Sequence, residues 1–145
     1  MKVKYLSQKE FEYIYGRVPR LCVEAVIKTD KGMIFTKRNI EPASGKWHIP
    51  GATLLKGESI KSSVKRIIKK ELGIDVRVIK MLGINEYKFK NYKRQDIAIT
   101  FLAEPVNKNF KFKIDKHTDD VGIFNKLPKN FIKQQADFLK KQNLI

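Results

Sequence analysis

The chain predicts one α+β domain over residues 1–145: an α/β/α sandwich built on a mixed β-sheet. Three observations predict it. Apolar, β-branched runs at 20–28, 33–37 and 95–103 are each bounded by turn residues, the mark of strands. Residues 60–72 form a strongly amphipathic helix with start and stop signals at both ends. Two further helical patterns lie near the two ends of the chain, so helices are available to cover both faces of a sheet.

Each element has a local cause. Ser7-Gln8-Lys9-Glu10 is a capping box, which predicts a short helix over 8–15. Residues 20–28 read as a strand, and Thr29-Asp30-Lys31-Gly32 as the hairpin turn into 33–37. Residues 39–46, with Pro42 and Gly45, read as a loop; 48–55 read as extended around the Pro50-Gly51 kink. After the central helix, 75–87 alternates as a long strand interrupted at Gly83, and 88–94 reads as a charged hairpin tip before the strand at 95–103. Phe110-x-Phe112-x-Ile114 predicts a short strand and 115–120 an acidic loop. Residues 128–142 predict an amphipathic helix with Pro128 near its first turn and Phe131, Ile132, Gln135, Phe138 and Leu139 on one face.

Composition bounds the function. A hydrophobic content of 42%, with 9 Phe, 5 Tyr and 1 Trp, supports a packed core. No apolar run approaches membrane length and the first residues do not read as a signal peptide, so no membrane association is expected. A lone cysteine, Cys22, cannot form an internal disulfide and reads as a small buried hydrophobe of a cytoplasmic protein. The net charge of +16 favours anionic ligands. Its carriers are mostly scattered lysines, whereas base reading recruits arginine in a compact motif, so specific nucleic-acid binding is not expected.

The central helix carries the chemistry. Ile60, Val64, Ile67, Ile68 and Glu71 fall within an arc of about 100°. Glu71 thus stands in the middle of an apolar stripe. A carboxylate there needs a cation, a hydrogen-bond set or a metal. Ser59 or Glu58 caps the helix start and Gly73 supplies the left-handed stop. Arg66 flanks the stripe and can pair with Glu58 or Glu71; a plain buried Arg–Glu pair is the bland alternative to a functional one.

The order of these residues resembles the Nudix box, G-x5-E-x7-R-E-U-x-E-E-x-G-U with U apolar. Glu58, Arg66, Ile68, Glu71, Gly73 and Ile74 match it, and Gly51 matches the glycine that commonly precedes it. Ala52, Ile67 and Lys70 depart from it, and the last two remove two of the carboxylates that usually hold magnesium. A narrower resemblance is to the GDP-mannose mannosyl hydrolase branch, whose box has lost the same two. It rests on Leu6-x-Gln8-x-x-Phe11, on Pro19 with Glu24 five residues later, and on the run Lys37-Arg38-x-x-x-Pro42-Ala43-x-Gly45-x-Trp47-x-x-Pro50-Gly51. It fades after about Arg77.

The resemblance implies Mg²⁺, with Mn²⁺ as an alternative, on the Glu71 side chain and the Gly51 carbonyl. It implies a third ligand and a histidine general base from residues 115–120. Two alignments of that segment are open. Matching the Asp119-Asp120 pair puts His117 at the ligand position and Thr118 at the base. One inserted residue keeps His117 as the base and leaves Lys116 at the ligand position, with Asp115 or Asp119 as substitutes. The second is favoured, since histidine titrates near neutrality. A solvated loop histidine is the alternative, and His48, beside Trp47, reads as a packing residue. Arg38 is the expected diphosphate contact, against an exposed strand-end charge. Arg66 would orient Glu71 or bind phosphate. Glu24 corresponds to an acid near the metal or sugar, against an outward residue of an alternating strand. A second arginine implied just after the Pro-Gly turn is Thr53 here.

The implied activity is Mg²⁺-dependent hydrolysis of a nucleoside diphosphate sugar, GDP-mannose-like, releasing nucleoside diphosphate and sugar, in a homodimer. The alternatives are attack at phosphorus on another nucleoside diphosphate derivative, and a decayed nucleotide- or RNA-binding module.

Overall fold

A computed structural model describes residues 3–88 and 93–145. The element order is α1 (Gln8–Tyr15), β1 (Arg20–Thr29), β2 (Gly32–Arg38), β3 (Trp47–His48), β4 (Gly51–Thr53), α2 (Ile60–Leu72), β5 (Val76–Tyr87), β6 (Asp96–Pro105), β7 (Thr118–Phe124) and α3 (Lys133–Lys141). The strands form one mixed sheet in the order β3-β2-β1-β6-β5, with β4 on β1 and β7 on β2. β1 runs parallel to β6 along its length, and the other pairs are antiparallel.

Alternate residues of β1 feed two cores. Val23, Ala25 and Ile27 pack with Val64, Ile67, Ile68 and Leu72 of α2. Val26 faces the other way, into a core with Phe35, Ile49, Leu102 and Leu139 of α3. The α/β/α sandwich is therefore the observed architecture.

One irregularity creates the site. β1 and β2 are paired only at the hairpin end, through Ile27↔Ile34, Lys28↔Met33 and Thr29↔Gly32. Beyond that the sheet forks: β4 pairs with the early part of β1, and β3 with the end of β2. The cleft described below opens in this fork.

Three expectations are corrected. Residues 110–114 are not a strand; they run along the C-terminal end of α2. There the Lys113 N–H donates to the Leu72 carbonyl at 2.8 Å and the Asp115 N–H to the Glu71 carbonyl at 3.1 Å. Terminal helix carbonyls have no partner within the helix, and this segment supplies one; Phe110 and Phe112 pack against the α2-side core. The expected acidic loop ends early, because β7 starts at Thr118 and pairs along β2 with a bulge at Lys37/Arg38. An edge strand tolerates charges on its solvent side, so the acidic pair concealed it.

The last helix begins only at Lys133. Asn130 is left-handed at φ 61°, and the chain at 130–132 bonds the Trp47 backbone instead of a helical turn. The predicted hairpin tip falls partly on residues 89–92, outside the described residues.

Candidate active site

α2 presents two carboxylates in opposite situations. Ser59 caps the helix, its Oγ accepting from the Ser62 N–H. Glu58, just before the cap, accepts from Arg66 Nε at 2.8 Å and Nη2 at 2.7 Å, and from the Leu55 N–H at 2.8 Å. The Arg66 bonds hold its carboxyl below the ordinary range. Arg66 also donates to the Thr53 carbonyl and to the Tyr5 hydroxyl. Of the two partners open to Arg66, Glu58 and Glu71, the structure has Glu58. At i and i+8 the two side chains close the turn ahead of the helix.

Glu71 lies one turn beyond Ile67 and Ile68 on the apolar stripe, and Gly73 ends the helix with φ 73°. Its carboxylate has no hydrogen-bond or ion-pair partner among the described residues. Burial, reinforced by the neighbouring Asp115, pushes its pKa up to about 8. Asp115 is delivered by the backbone bond to the Glu71 carbonyl, so the end of α2 itself brings the two acids together. Asp115 Oδ1 accepts from the His117 N–H at 3.1 Å and from Thr118 Oγ1 at 3.1 Å, which fixes the turn carrying His117.

Gly51 is placed by the fork. The Ala25 N–H donates to the Pro50 carbonyl and the Leu54 N–H to the Leu21 carbonyl, both at 3.0 Å. Bonded pairs alternate in an antiparallel ladder, so Gly51, opposite Glu24, occupies a non-bonded pair and its carbonyl points away from β1. A Cβ at Gly51 would meet Glu24 Cβ at 2.6 Å, so only glycine fits.

A cleft of about 540 Å³ unites these parts. Gly51, Glu71, Asp115, His117, Arg38 and Arg66 all line it. His117 is exposed there. Arg38, at the end of β2, is oriented by its Nε bond to the Pro42 carbonyl at 2.7 Å. Ile67 and Lys70, the two positions without their carboxylates, also line the cleft; Ile67 is buried in the core and Lys70 Nζ sits 4.2 Å from the centre of the Tyr5 ring.

Glu24 is neither outward-facing nor directed into that cleft. Its Oε1 accepts from Tyr87 Oη at 2.6 Å, Thr100 Oγ1 at 2.7 Å and Asn85 Nδ2 at 3.2 Å, and Oε2 from Gln135 Nε2 at 3.3 Å. Burial raises its pKa against those bonds. It lines a small adjoining cavity of about 60 Å³ that shares Arg38, His48 and Gly51 with the cleft. His48 is also buried. The Ile49 carbonyl can only accept, so Nδ1 carries the proton, and Nε2 accepts from Thr36 Oγ1 at 3.0 Å. Burial and the Arg38 charge depress its pKa to about 3, leaving it neutral.

Sequence reasoning missed Tyr5, Arg20, Arg94 and Asp96, which surround the same space. At Thr53, where the resemblance implies an arginine, Arg20 Nη1 donates to Thr53 Oγ1 at 2.9 Å from the neighbouring strand. Arg20 had no signal beyond its place at a strand start.

The NUDIX domain model matches residues 18–141, and the chain belongs to that family. Over 82 residues it is 37% identical to the low-salt glycan biosynthesis protein Agl8 of Haloferax volcanii, covering 57% of this chain and 53% of that protein. Over 111 residues it is 27% identical to an ADP-ribose pyrophosphatase of Methanocaldococcus jannaschii, covering 77% and 66%. The chain thus spans between half and two thirds of the length of these relatives. The fold matches a MutT NUDIX hydrolase from Burkholderia pseudomallei with a TM-score of 0.75 at 23% identity, covering 86% of this chain and 98% of that one. It matches a UDP-X diphosphatase with a TM-score of 0.69 at 19% identity, covering 96% and 72%.

Proposed function

We propose that this NUDIX chain hydrolyses a nucleoside diphosphate sugar with the help of a divalent cation, releasing nucleoside diphosphate and free sugar. The observation that carries the reading is Glu71: a half-buried carboxylate with no hydrogen-bond or ion-pair partner among the described residues, beside a second acid, in a cleft that Arg20, Arg38, Arg66 and Arg94 also line. Two carboxylates and a carbonyl turned out of its ladder are the hard oxygen donors that suit Mg²⁺ or Mn²⁺. Glu71, Asp115 and the Gly51 carbonyl would hold the cation, which supplies charge neutralisation for the departing diphosphate. This choice uses Asp115 as the third protein ligand and leaves His117 as the base.

In this reading His117 takes a proton from the attacking water at the sugar's anomeric carbon. Asp115 holds the backbone turn from which that side chain projects. Arg38 offers paired donors to a phosphate oxygen as negative charge collects there. Ile67 and Lys70 support attack at carbon, because fewer carboxylates remain for metals at phosphorus. The similarity to a glycan biosynthesis protein supports a sugar-bearing substrate. A homodimer belongs to the same reading. Ile79, Met81 and Ile84 of edge strand β5 are exposed apolar side chains suited to a second copy.

The test is product analysis in ¹⁸O-water with GDP-mannose and other nucleotide sugars, with and without Mg²⁺. Nucleoside diphosphate plus ¹⁸O-labelled sugar is the expected result. Nucleoside monophosphate plus sugar phosphate would move the attack to phosphorus. Metal-independent nucleotide binding without turnover would leave a binding module.

A further inference from the structure

Gln135 interrupts the apolar face of α3 and is only 4% exposed. Its Oε1 accepts from the Ile49 N–H at 2.7 Å, and its Nε2 donates to Tyr87 Oη at 3.0 Å and to Glu24 Oε2 at 3.3 Å. The Ile49 N–H can only donate, so it fixes which end of the amide is oxygen. A buried amide opposes folding unless its partners need it, and an apolar side chain would serve the core better. Those partners flank Gly51: Ile49 lies two residues ahead of it, and Glu24 stands opposite it on β1. We infer that Gln135 is a positioning residue for the cation, which aims the Gly51 carbonyl by holding the chain ahead of it and the strand beside it. The inference rests on the proposed cation site.

The fork in the sheet creates the need. Residues 49 and 50 cross from β3, on β2, to β4, on β1, and belong to neither ladder. A peptide unit is planar, so one hydrogen bond to its N–H or its carbonyl orients the whole unit. Each unit from residue 48 to residue 51 has such a bond. The Ile49 N–H is held by Gln135, the Ile49 carbonyl accepts from His48 Nδ1 at 2.8 Å, and the Pro50 carbonyl accepts from the Ala25 N–H at 3.0 Å. Pro50 lacks an N–H, so the middle unit offers only its carbonyl. Gly51 has no Cβ to narrow its own backbone angles, and the site admits no larger residue. The direction of its carbonyl therefore depends on the units ahead of it, and side chains hold two of them where the ladder does not.

The other end of the amide acts on β1. Glu24 lies so close to Gly51 that a Cβ there would meet its own at 2.6 Å. Its carboxyl is fixed by Tyr87 of β5, Thr100 of β6 and Gln135 of α3. Gln135 thus ties together the two chains that face each other at Gly51. It does so from a helix whose own start is anchored to the same crossing: the Trp47 N–H donates to the Asn130 carbonyl at 2.9 Å and the Ile132 N–H to the Trp47 carbonyl at 3.0 Å. The carboxylates of the proposed site come from α2 and the segment at its end, on one face of the sheet; the aim of its carbonyl comes from α3, on the other.

The experiment is Mn²⁺ binding to the full chain, with free Mn²⁺ read by electron paramagnetic resonance, for wild type, Gln135→Met, Ile27→Val and Glu71→Gln, each with its melting temperature. Methionine is close to glutamine in size but makes none of the amide's hydrogen bonds. Ile27→Val trims the core at the hairpin end, away from the fork, and controls for lost stability alone. Gln135→Met should bind Mn²⁺ about tenfold more weakly than wild type, the usual effect of losing a group behind a metal ligand, while Ile27→Val binds as wild type does. Should Gln135→Met fail to fold, Gln135→Asn, whose amide stops one methylene short of these partners, decides by the same comparison. Wild-type affinity in the Gln135 variant, beside a clear loss in Glu71→Gln, would overturn the positioning role and leave the proposed cation site standing. An equal loss in Ile27→Val would overturn it too. A wild type that binds no Mn²⁺, or a Glu71→Gln variant that binds it unchanged, would overturn both.

Discussion

Glu58 and Glu71 stand at opposite ends of one helix, and every contact separates them. Glu58 has a bidentate arginine, a backbone donor and a lowered pKa. Glu71 has no bonding partner among the described residues, an acidic neighbour and a pKa near 8. Folding alone accounts for Glu58, whose carboxylate is fully compensated. It does not account for Glu71, whose ionised form opposes folding until a cation arrives. Glu24 is a third case: fully bonded, as Glu58 is, yet raised by burial, as Glu71 is.

The sharpest way to break this contrast is Glu71→Gln. Turnover should fall on the order of 10³-fold, with the metal-free melting temperature unchanged at neutral pH, where the carboxyl holds its proton, and higher at alkaline pH, where the variant removes an uncompensated charge. A clear loss of melting temperature with turnover per folded molecule intact would make Glu71 a structural residue like Glu58. Next, His117→Gln should lower kcat by about 10²-fold, the typical worth of a general base, with little change in stability at this exposed position. An unchanged pH–rate profile in that variant would place the base elsewhere.

The opposite end of the helix should show the reverse pattern. Arg66→Met strands a nearly buried carboxylate, so chemical denaturation should register a loss of about 2–4 kcal/mol. Activity per folded molecule should change far less than in Glu71→Gln. If turnover collapses while stability holds, Arg66 acts on substrate.

The smallest effect is the dependence of stability on pH. Glu71 carries a folded-state pKa raised to about 8, so the native state binds the extra proton and metal-free stability falls as pH rises toward 8. His48 works in the other direction: its pKa, depressed to about 3, means stability falls as pH drops below about 6.5, where the unfolded imidazole takes up a proton. Between about pH 6.5 and 8 the Glu71 slope is isolated from His48 and is at most roughly 1.4 kcal/mol per pH unit. Glu71→Gln should flatten it, and Mg²⁺ should raise the melting temperature most at the alkaline end. Equal slopes in wild type and variant would mean that Glu71 is already ionised in the metal-free protein.

Much of the fold was legible because its signals are local. The capping box at Ser7, the amphipathic stripe from Ile60 to Leu72 with its Gly73 stop, and the apolar runs of β1, β2 and β6 each declare an element within a few residues. The segment at 110–114 misled because its alternation serves packing beside a helix end, not a ladder. β7 was hidden because its partner, β2, lies some eighty residues earlier.

The site divides in the same way. Sequence by itself determined that Glu71 lies in an apolar stripe, that Gly51 precedes the helix entry and that the box lacks two carboxylates, since periodicity and order fix these. Only tertiary structure decided that Arg66 bonds Glu58, that Glu24 is buried among Tyr87, Thr100, Asn85 and Gln135, and that Asp115 stands beside Glu71. It alone brought Arg20 and Arg94 onto one carboxylate, Asp96. Pairing among charges is settled by which strands neighbour one another and where the sheet forks, and those distances are not written in the spacing of residues along the chain.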